Sequence, residues 1–140
     1  MLSDLYAGSL ADAARRLEHR SLAEVEALAL ATAPALDAMQ ALQPGNQIKI
    51  LAEVKRASPS KGQMAEIPDP PALAKIYALN GASAISVLTE ERKFKGSLED
   101  LEAVRRVVEV PLLRKDFIAT EHQILEARAC LLYTSDAADE

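Results

Sequence analysis

The sequence predicts an α/β protein: a parallel β-sheet assembled from three βα units and preceded by a helical extension. Three observations carry this. Short β-rich apolar runs begin near residues 48, 84 and 110, each run is followed by a stretch of helical period, and each helical stretch opens on a capping signal. Strands alternating with helices at this spacing form right-handed βαβ units, whose strands lie parallel.

Residues 1–46 read as the helical extension. Ser9-Leu10-Ala11-Asp12 and Ser21-Leu22-Ala23-Glu24 both have capping-box spacing, in which a hydroxyl and a carboxylate three residues apart satisfy free N–H groups at a helix start. A helix is expected to open at each. The second carries Val25, Leu28 and Ala29 on one stripe until Pro34 interrupts it, and Gln43-Pro44-Gly45-Asn46 makes a turn. Ile48 to Lys55 then alternates, with Ile50, Ala52 and Val54 on one face and Leu51, Glu53 and Lys55 on the other. Arg56 to Pro68 shows no apolar period and reads as a long loop, of the kind that is usually functional or disordered.

Residues 47–129 hold the three units. Asp69 as N-cap and Pro70 at the first helical position start a helix with Leu73, Ile76 and Tyr77 as its buried stripe, and Asn80-Gly81 closes it. Ala84 to Thr89 is the second strand and Glu90 to Gly96 a charged loop. Ser97 caps a helix with Leu98, Leu101, Val104 and Val108 on one side. Val110 to Phe117 is the third strand, and Thr120-Glu121-His122-Gln123 caps a third helix carrying Ile124, Leu125 and Arg128.

Composition narrows the function classes. The 140 residues include 16 Lys+Arg against 21 Asp+Glu, with 49% hydrophobic and 26% charged residues, as in globular proteins rather than disordered ones. A closed eight-stranded βα barrel needs about 250 residues, so a barrel signal in this chain would come from a piece of one. The longest uncharged stretch near the N-terminus, Ala27 to Leu36, contains a proline and falls well short of the roughly 20 residues of a membrane span. Nothing at Met1 resembles a signal peptide, so a cytoplasmic location and no membrane partner are expected. A net charge of -5 argues against nucleic acid. Cys130 has no second cysteine to pair with and reads as buried filler. His19 and His122 lie far from it in sequence, offer no zinc spacing, and read as surface-helix residues. No metal is expected, and without a glycine-rich phosphate loop a nucleotide cofactor has no support.

In parallel βα proteins the site lies beyond the C-terminal ends of the strands. Lys55, Arg56, Lys61, Arg92, Lys93, Lys95, Arg114 and Lys115 fall there, half of all Lys+Arg, beside Glu53, Glu90, Glu91 and Asp116. A small anion, a phosphate or a carboxylate, is the implied ligand, although plain solvation also places charge at loop ends. Glu53 and Lys55 leave one face of one strand, where they can form a structural ion pair or bind substrate and transfer protons. The apolar face opposite favours function. Lys115, if it points inward with Leu113 and Phe117, converges on the same mouth. A lysine held there among cations and apolar groups can serve as a general acid or as a Schiff-base nucleophile.

These residues also carry a resemblance. Ile50-Leu51-Ala52-Glu53-Val54-Lys55-Arg56-Ala57-Ser58-Pro59-Ser60 with Lys61-Gly62, then Ala84 to Glu91, Phe94-Lys95-Gly96-Ser97, and Pro111-Leu112-Leu113-Arg114-Lys115-Asp116-Phe117-Ile118 resemble, in that order, the indole-3-glycerol-phosphate synthase family. The resemblance covers about residues 1–129 and includes the helical extension. It implies the fold of a TIM (βα)8 barrel, of which this chain would hold about three N-terminal units.

It also implies a carboxy-lyase of tryptophan biosynthesis that closes the indole ring of 1-(2-carboxyphenylamino)-1-deoxyribulose 5-phosphate with loss of carbon dioxide and water, without cofactor. By this resemblance Lys115 protonates the ketone oxygen, Lys55 holds the anionic substrate and assists dehydration, and Glu53 is its partner and proton acceptor. Ser58, Pro59, Phe94 and Phe117 line the pocket; Lys93 stands where the family often has an aromatic residue. After Ala129 the family pattern stops, so 130–140 is expected to be an unrelated or artefactual tail and the chain an inactive piece prone to self-association through exposed sheet edges. A Schiff-base aldolase using Lys115 and a non-catalytic phosphate-binding half-barrel are the alternatives.

Overall fold

The computed structural model describes residues 1–130, so the expected break in pattern from residue 131 onward lies outside the described residues. Helices α1 (Leu2–His19) and α2 (Leu22–Ala31) and a single turn, α3 (Ala38–Ala41), come first. Ser21 forms the expected capping box, its Oγ accepting the Glu24 N–H at 3.2 Å while the Glu24 carboxylate accepts the Ser21 N–H at 2.7 Å. The box expected at Ser9 does not form. Ser9 and Asp12 lie buried inside α1, which runs unbroken from Leu2. Their partners are tertiary: the Phe117 carbonyl accepts from Ser9 Oγ at 2.7 Å, and Asp12 accepts from Arg92 Nε at 3.0 Å.

The first strand, β1 (Leu51–Val54), is shorter than the alternating run that announces it; Ile48 and Ile50 precede it and stay exposed. The stretch read as a long loop contains a small antiparallel hairpin, β2 (Ala57–Ser58) and β3 (Gly62–Gln63), turning at Gly62 with φ +64°. Helix α4 (Pro70–Leu79) starts as expected, Asp69 accepting the Ala72 N–H at 3.1 Å, and ends at Asn80 and Gly81, φ +95°. Its buried line differs. Ala74 is buried, with Leu73 and Tyr77 beside the core, while Ile76 faces solvent: a 3.6-residue period allows either neighbour on the inner face, and the smaller side chain lets α4 approach β1 and β4 (Ala84–Leu88).

Helix α5 (Leu98–Arg105) opens on Ser97, whose Oγ accepts the Asp100 N–H at 3.1 Å. It ends before Val108, which is nevertheless buried. Strand β5 (Leu112–Lys115) is followed by α6 (Glu121–Ala129), which opens on the capping box of Thr120 and Gln123. On α6 Ile124 is exposed, and the buried residues are the polar His122, Gln123 and Glu126. They face α1 and α2, where polar partners await them. His122 Nε2, far from being on the surface, lies 3.2 Å from the Arg20 carbonyl that accepts from it.

The three longer strands form one parallel sheet in the order β1-β4-β5, and the described residues form no closed barrel. Register sorts the side chains into rows. On one face Ala52, Ile85 and Leu112 are aligned, then Val54, Val87 and Arg114; on the other Glu53, Ser86 and Leu113. The first face packs against α4 and α5, where Ile85, Val87, Leu101 and Val104 make the core with Val54 and Ala74. A fully buried side chain of that kind contributes about 1.5–3 kcal/mol. The second face is open, with Leu51 47% and Leu113 50% exposed.

Candidate active site

The open face carries the expected acid and bases together at the C-terminal ends of the strands. Glu53 lies between two ammonium groups, with Lys55 Nζ at 2.9 Å from Oε1 and Lys115 Nζ at 2.5 Å from Oε2. Ser86 Oγ, one strand over in the same row, donates to Oε2 at 3.4 Å, and the Tyr77 hydroxyl donates to the Glu53 carbonyl at 3.2 Å. Partial burial pushes the Glu53 carboxyl up, but Lys115 and then Lys55 more than reverse it, so the group is held below its ordinary value. The cluster keeps a carboxylate ionised while its two cationic neighbours stay within reach of solvent. It can hold an anion, donate a proton to a carbonyl oxygen and accept one back.

The aromatic residues meet nearby. Phe94, from the loop after β4, and Phe117, two residues past Lys115 and beyond the end of β5, have ring centroids 6.4 Å apart at 45°. Ser58 and Pro59 sit half-buried in the β2–β3 hairpin, where Ser58 Oγ accepts the Lys61 N–H at 3.3 Å and so shapes the turn. Lys115 departs from the expected setting in one respect: its Nζ meets a carboxylate and its side chain is 52% exposed, rather than lying among cations and apolar groups. The eight-cation cluster also divides. Arg56 pairs with Asp100, Arg92 with Asp12 and Arg114 with Asp116 and Glu126, so the arginines hold the fold together. The exposed Lys61, Lys93 and Lys95 are loop cations that form no ion pair among the described residues, and they remain free for a ligand.

Reading by period misses four features. Ser86 is buried beside Glu53, and its signal is a lone polar residue inside the run Ala84 to Leu88. Glu90, also buried, gathers the loop after β4 by accepting the N–H groups of Arg92, Lys93 and Phe94 at 3.0, 2.7 and 2.8 Å, which sets the Phe94 ring. Gly96 closes that loop against β4, where a Cβ would come 2.0 Å from the Leu88 carbonyl oxygen. Behind β5, on the helix side, Thr89, Arg114, Asp116 and Gln123 form a buried polar group that reaches Ser9 of α1. Its links span up to 114 residues and leave no local pattern.

Among the described residues no three His, Cys, Asp or Glu side chains gather as a metal site. No helix among them is long and apolar enough to cross a membrane. Cys130 is buried, and desolvation pushes its thiol up to about 12, which suits a packing role.

The family model described as indole-3-glycerol phosphate synthase matches residues 2–136. Among curated relatives bearing that name, the chain is 62% identical over 129 residues to one from Leifsonia xyli subsp. xyli (strain CTCB07), covering 92% of this chain and 50% of that protein. It is 54% identical over 133 residues to one from Arthrobacter sp. (strain FB24), covering 92% and 49%. A third, from Rhodococcus opacus (strain B4), is 56% identical over 130 residues, covering 92% and 48%. The chain spans about half the length of the curated relatives it matches.

Proposed function

The chain belongs to the indole-3-glycerol phosphate synthase family, and from that premise we propose that it supplies the acid–base half of a site that closes an indole ring. The observation that carries the proposal is the Glu53 carboxylate seated between Lys55 and Lys115 on the open face of the sheet. Ring closure on 1-(2-carboxyphenylamino)-1-deoxyribulose 5-phosphate joins the aryl carbon that bears the carboxylate to the ketone carbon. The ketone oxygen then needs a proton, and Lys115 Nζ supplies it. Carbon dioxide leaves, the ring is restored, and the new hydroxyl departs as water. Lys55 holds the substrate's negative charge and assists that loss, while Glu53 takes up the proton released. Phe94 and Phe117 flank the aryl ring, with Ser58 and Pro59 on the hairpin side.

In this reading the sheet is three units of a (βα)8 barrel, the substrate is an aryl carboxylate joined to a sugar phosphate, and the site works in the cytoplasm without cofactor. Alone, the 140 residues do not turn over substrate, and they self-associate through the edges of β1 and β5, where Leu51 and Leu113 are half exposed.

The test is a completed chain. Joined to the part of the Leifsonia xyli relative that has no counterpart here, the chain converts the substrate to a product with indole absorbance, and Lys115→Ala abolishes this. An inactive but folded completed chain refutes the proposal. Borohydride treatment with a ketose phosphate leaves no adduct on Lys115; an adduct would favour aldolase chemistry instead.

A further inference from the structure

Lys115 sits between two residues whose side chains are locked on the opposite side of the sheet. Arg114 and Asp116 both point to the helix side, each side chain 4% exposed. Asp116 is the hub. Its Oδ1 accepts the Phe117 N–H at 2.8 Å and lies 3.2 Å from Ser9 Oγ; its Oδ2 accepts the Thr89 hydroxyl at 2.7 Å and the Arg114 Nη2 at 3.3 Å. Thr89 in turn accepts from Arg114 Nε at 3.1 Å, and its N–H donates to the Lys115 carbonyl at 3.0 Å. The chain is therefore pinned immediately before, at and after Lys115, by side chains from α1, from the end of β4 and from β5 itself.

Stability alone does not call for such a cluster, since a buried ionic group can be replaced by well-packed apolar side chains without loss. Geometry does. Among the described residues β5 is hydrogen-bonded on one side only, to β4, and a one-residue slip would turn Lys115 to the helix side and Arg114 to the open one. On β5 apolar packing resists such a slip weakly, because Leu112 and Leu113 would exchange faces, whereas directional bonds to a fixed carboxylate oppose it. We propose that Asp116 is a positioning residue that, through Thr89, Arg114 and Ser9, fixes the exit of β5 so that Lys115 Nζ meets Glu53. The N-terminal helix thereby takes part in aiming a side chain it does not touch. This rests on the reading of Lys115 as the proton donor.

The first test uses the 140-residue chain and needs no turnover. The titration of the Glu53 side-chain carboxyl carbon is followed by NMR in the parent chain and in Lys115→Gln, Asp116→Asn and Ser9→Ala. Lys55, Lys115 and Ser86 are the groups facing that carboxyl, and Glu24, held low by its own capping box, is the internal reference. Lys115→Gln raises the Glu53 midpoint. Asp116→Asn raises it comparably with Lys115 still in place, Ser9→Ala raises it less, and Glu24 stays fixed in all three. A Glu53 midpoint unmoved by Asp116→Asn, or by Lys115→Gln itself, overturns the inference. If Asp116→Asn fails to fold, Ser9→Ala decides by the same criterion.

In the completed chain, Asp116→Asn lowers kcat by about a hundredfold while KM stays within a few fold, the signature of a misplaced donor rather than a lost binding contact. Equal losses in both would refute positioning. An inactive parent with the NMR shifts intact would instead refute the proposed reaction and leave the placement of Lys115 standing.

Discussion

On the helix side of the sheet Ile85 and Val87 of β4 and Val104 of α5 are 0% exposed, whereas on the other side Leu51 of β1 and Leu113 of β5 keep about half of their surface in water. One face is closed by α4 and α5; on the other the two outer strands are open, while Ala84, Ser86 and Leu88 of the central strand are buried between them. Strand parity makes the separation possible, because neighbouring residues can serve opposite purposes 3.3 Å apart along the chain. Arg114 and Lys115 show it best. The first is spent on structure, paired with Asp116 and Glu126 and bonded to the Gln123 carbonyl at 2.6 Å; the second is offered to solvent and to Glu53. Stability and chemistry are thus divided by face, and substitutions should sort the same way.

The largest effect is expected on the closed face at its polar end. Arg114→Ala leaves the buried Asp116 carboxylate without its paired cation, while Glu126 keeps Arg16 at 2.7 Å, and costs about 3–5 kcal/mol, read as a fall in the urea midpoint of the chain. Next comes its apolar end, where Ile85→Ala removes a side chain with no access to water at a cost of about 2–5 kcal/mol. Leu113→Ser on the open face shifts stability by no more than about 0.5 kcal/mol; a loss as large as that of Ile85→Ala would show that the face is covered in solution.

The smallest effect is electrostatic. The Glu53 carboxyl is depressed in the folded chain, so its contribution is present above the unfolded carboxylate value and disappears as pH falls through the folded one. The gap in urea midpoint between the chain and Glu53→Gln should therefore close below the ordinary carboxylate range. A gap that persists would mean that shape, not charge, holds Glu53.

The period of two was enough to place Glu53, Lys55 and Lys115 together on one face and Val54 on the other, because burial on a single face forces that alternation. Helix starts at Ser21, Asp69, Ser97 and Thr120 were legible for a similar reason: donor and acceptor lie three residues apart. The same local signal misleads at Ser9, where a hydroxyl and a carboxylate with capping spacing are claimed by Phe117 and Arg92. His122 fails as a surface residue on the same ground, since α6 meets α1 and its C-cap through polar groups that no hydrophobic stripe announces. What escapes the sequence is the buried polar contact between distant segments, whose partners are chosen by the completed fold.

Gln123 shows what such a contact demands. Its side-chain oxygen accepts the N–H groups of Ala119 and Thr120 at 2.7 and 3.0 Å, while its nitrogen donates to Ser9 Oγ at 3.0 Å and to the Phe117 carbonyl at 3.1 Å. The amide works as a polarised coupling with an accepting end and a donating end that cannot be exchanged. A glutamate there would still close the start of α6 but would present a lone pair to the Phe117 carbonyl and repel it. Beginning the last helix and seating the first are therefore a single molecular event, in which one fully buried side chain ties together positions 9 and 123, near opposite ends of the described chain.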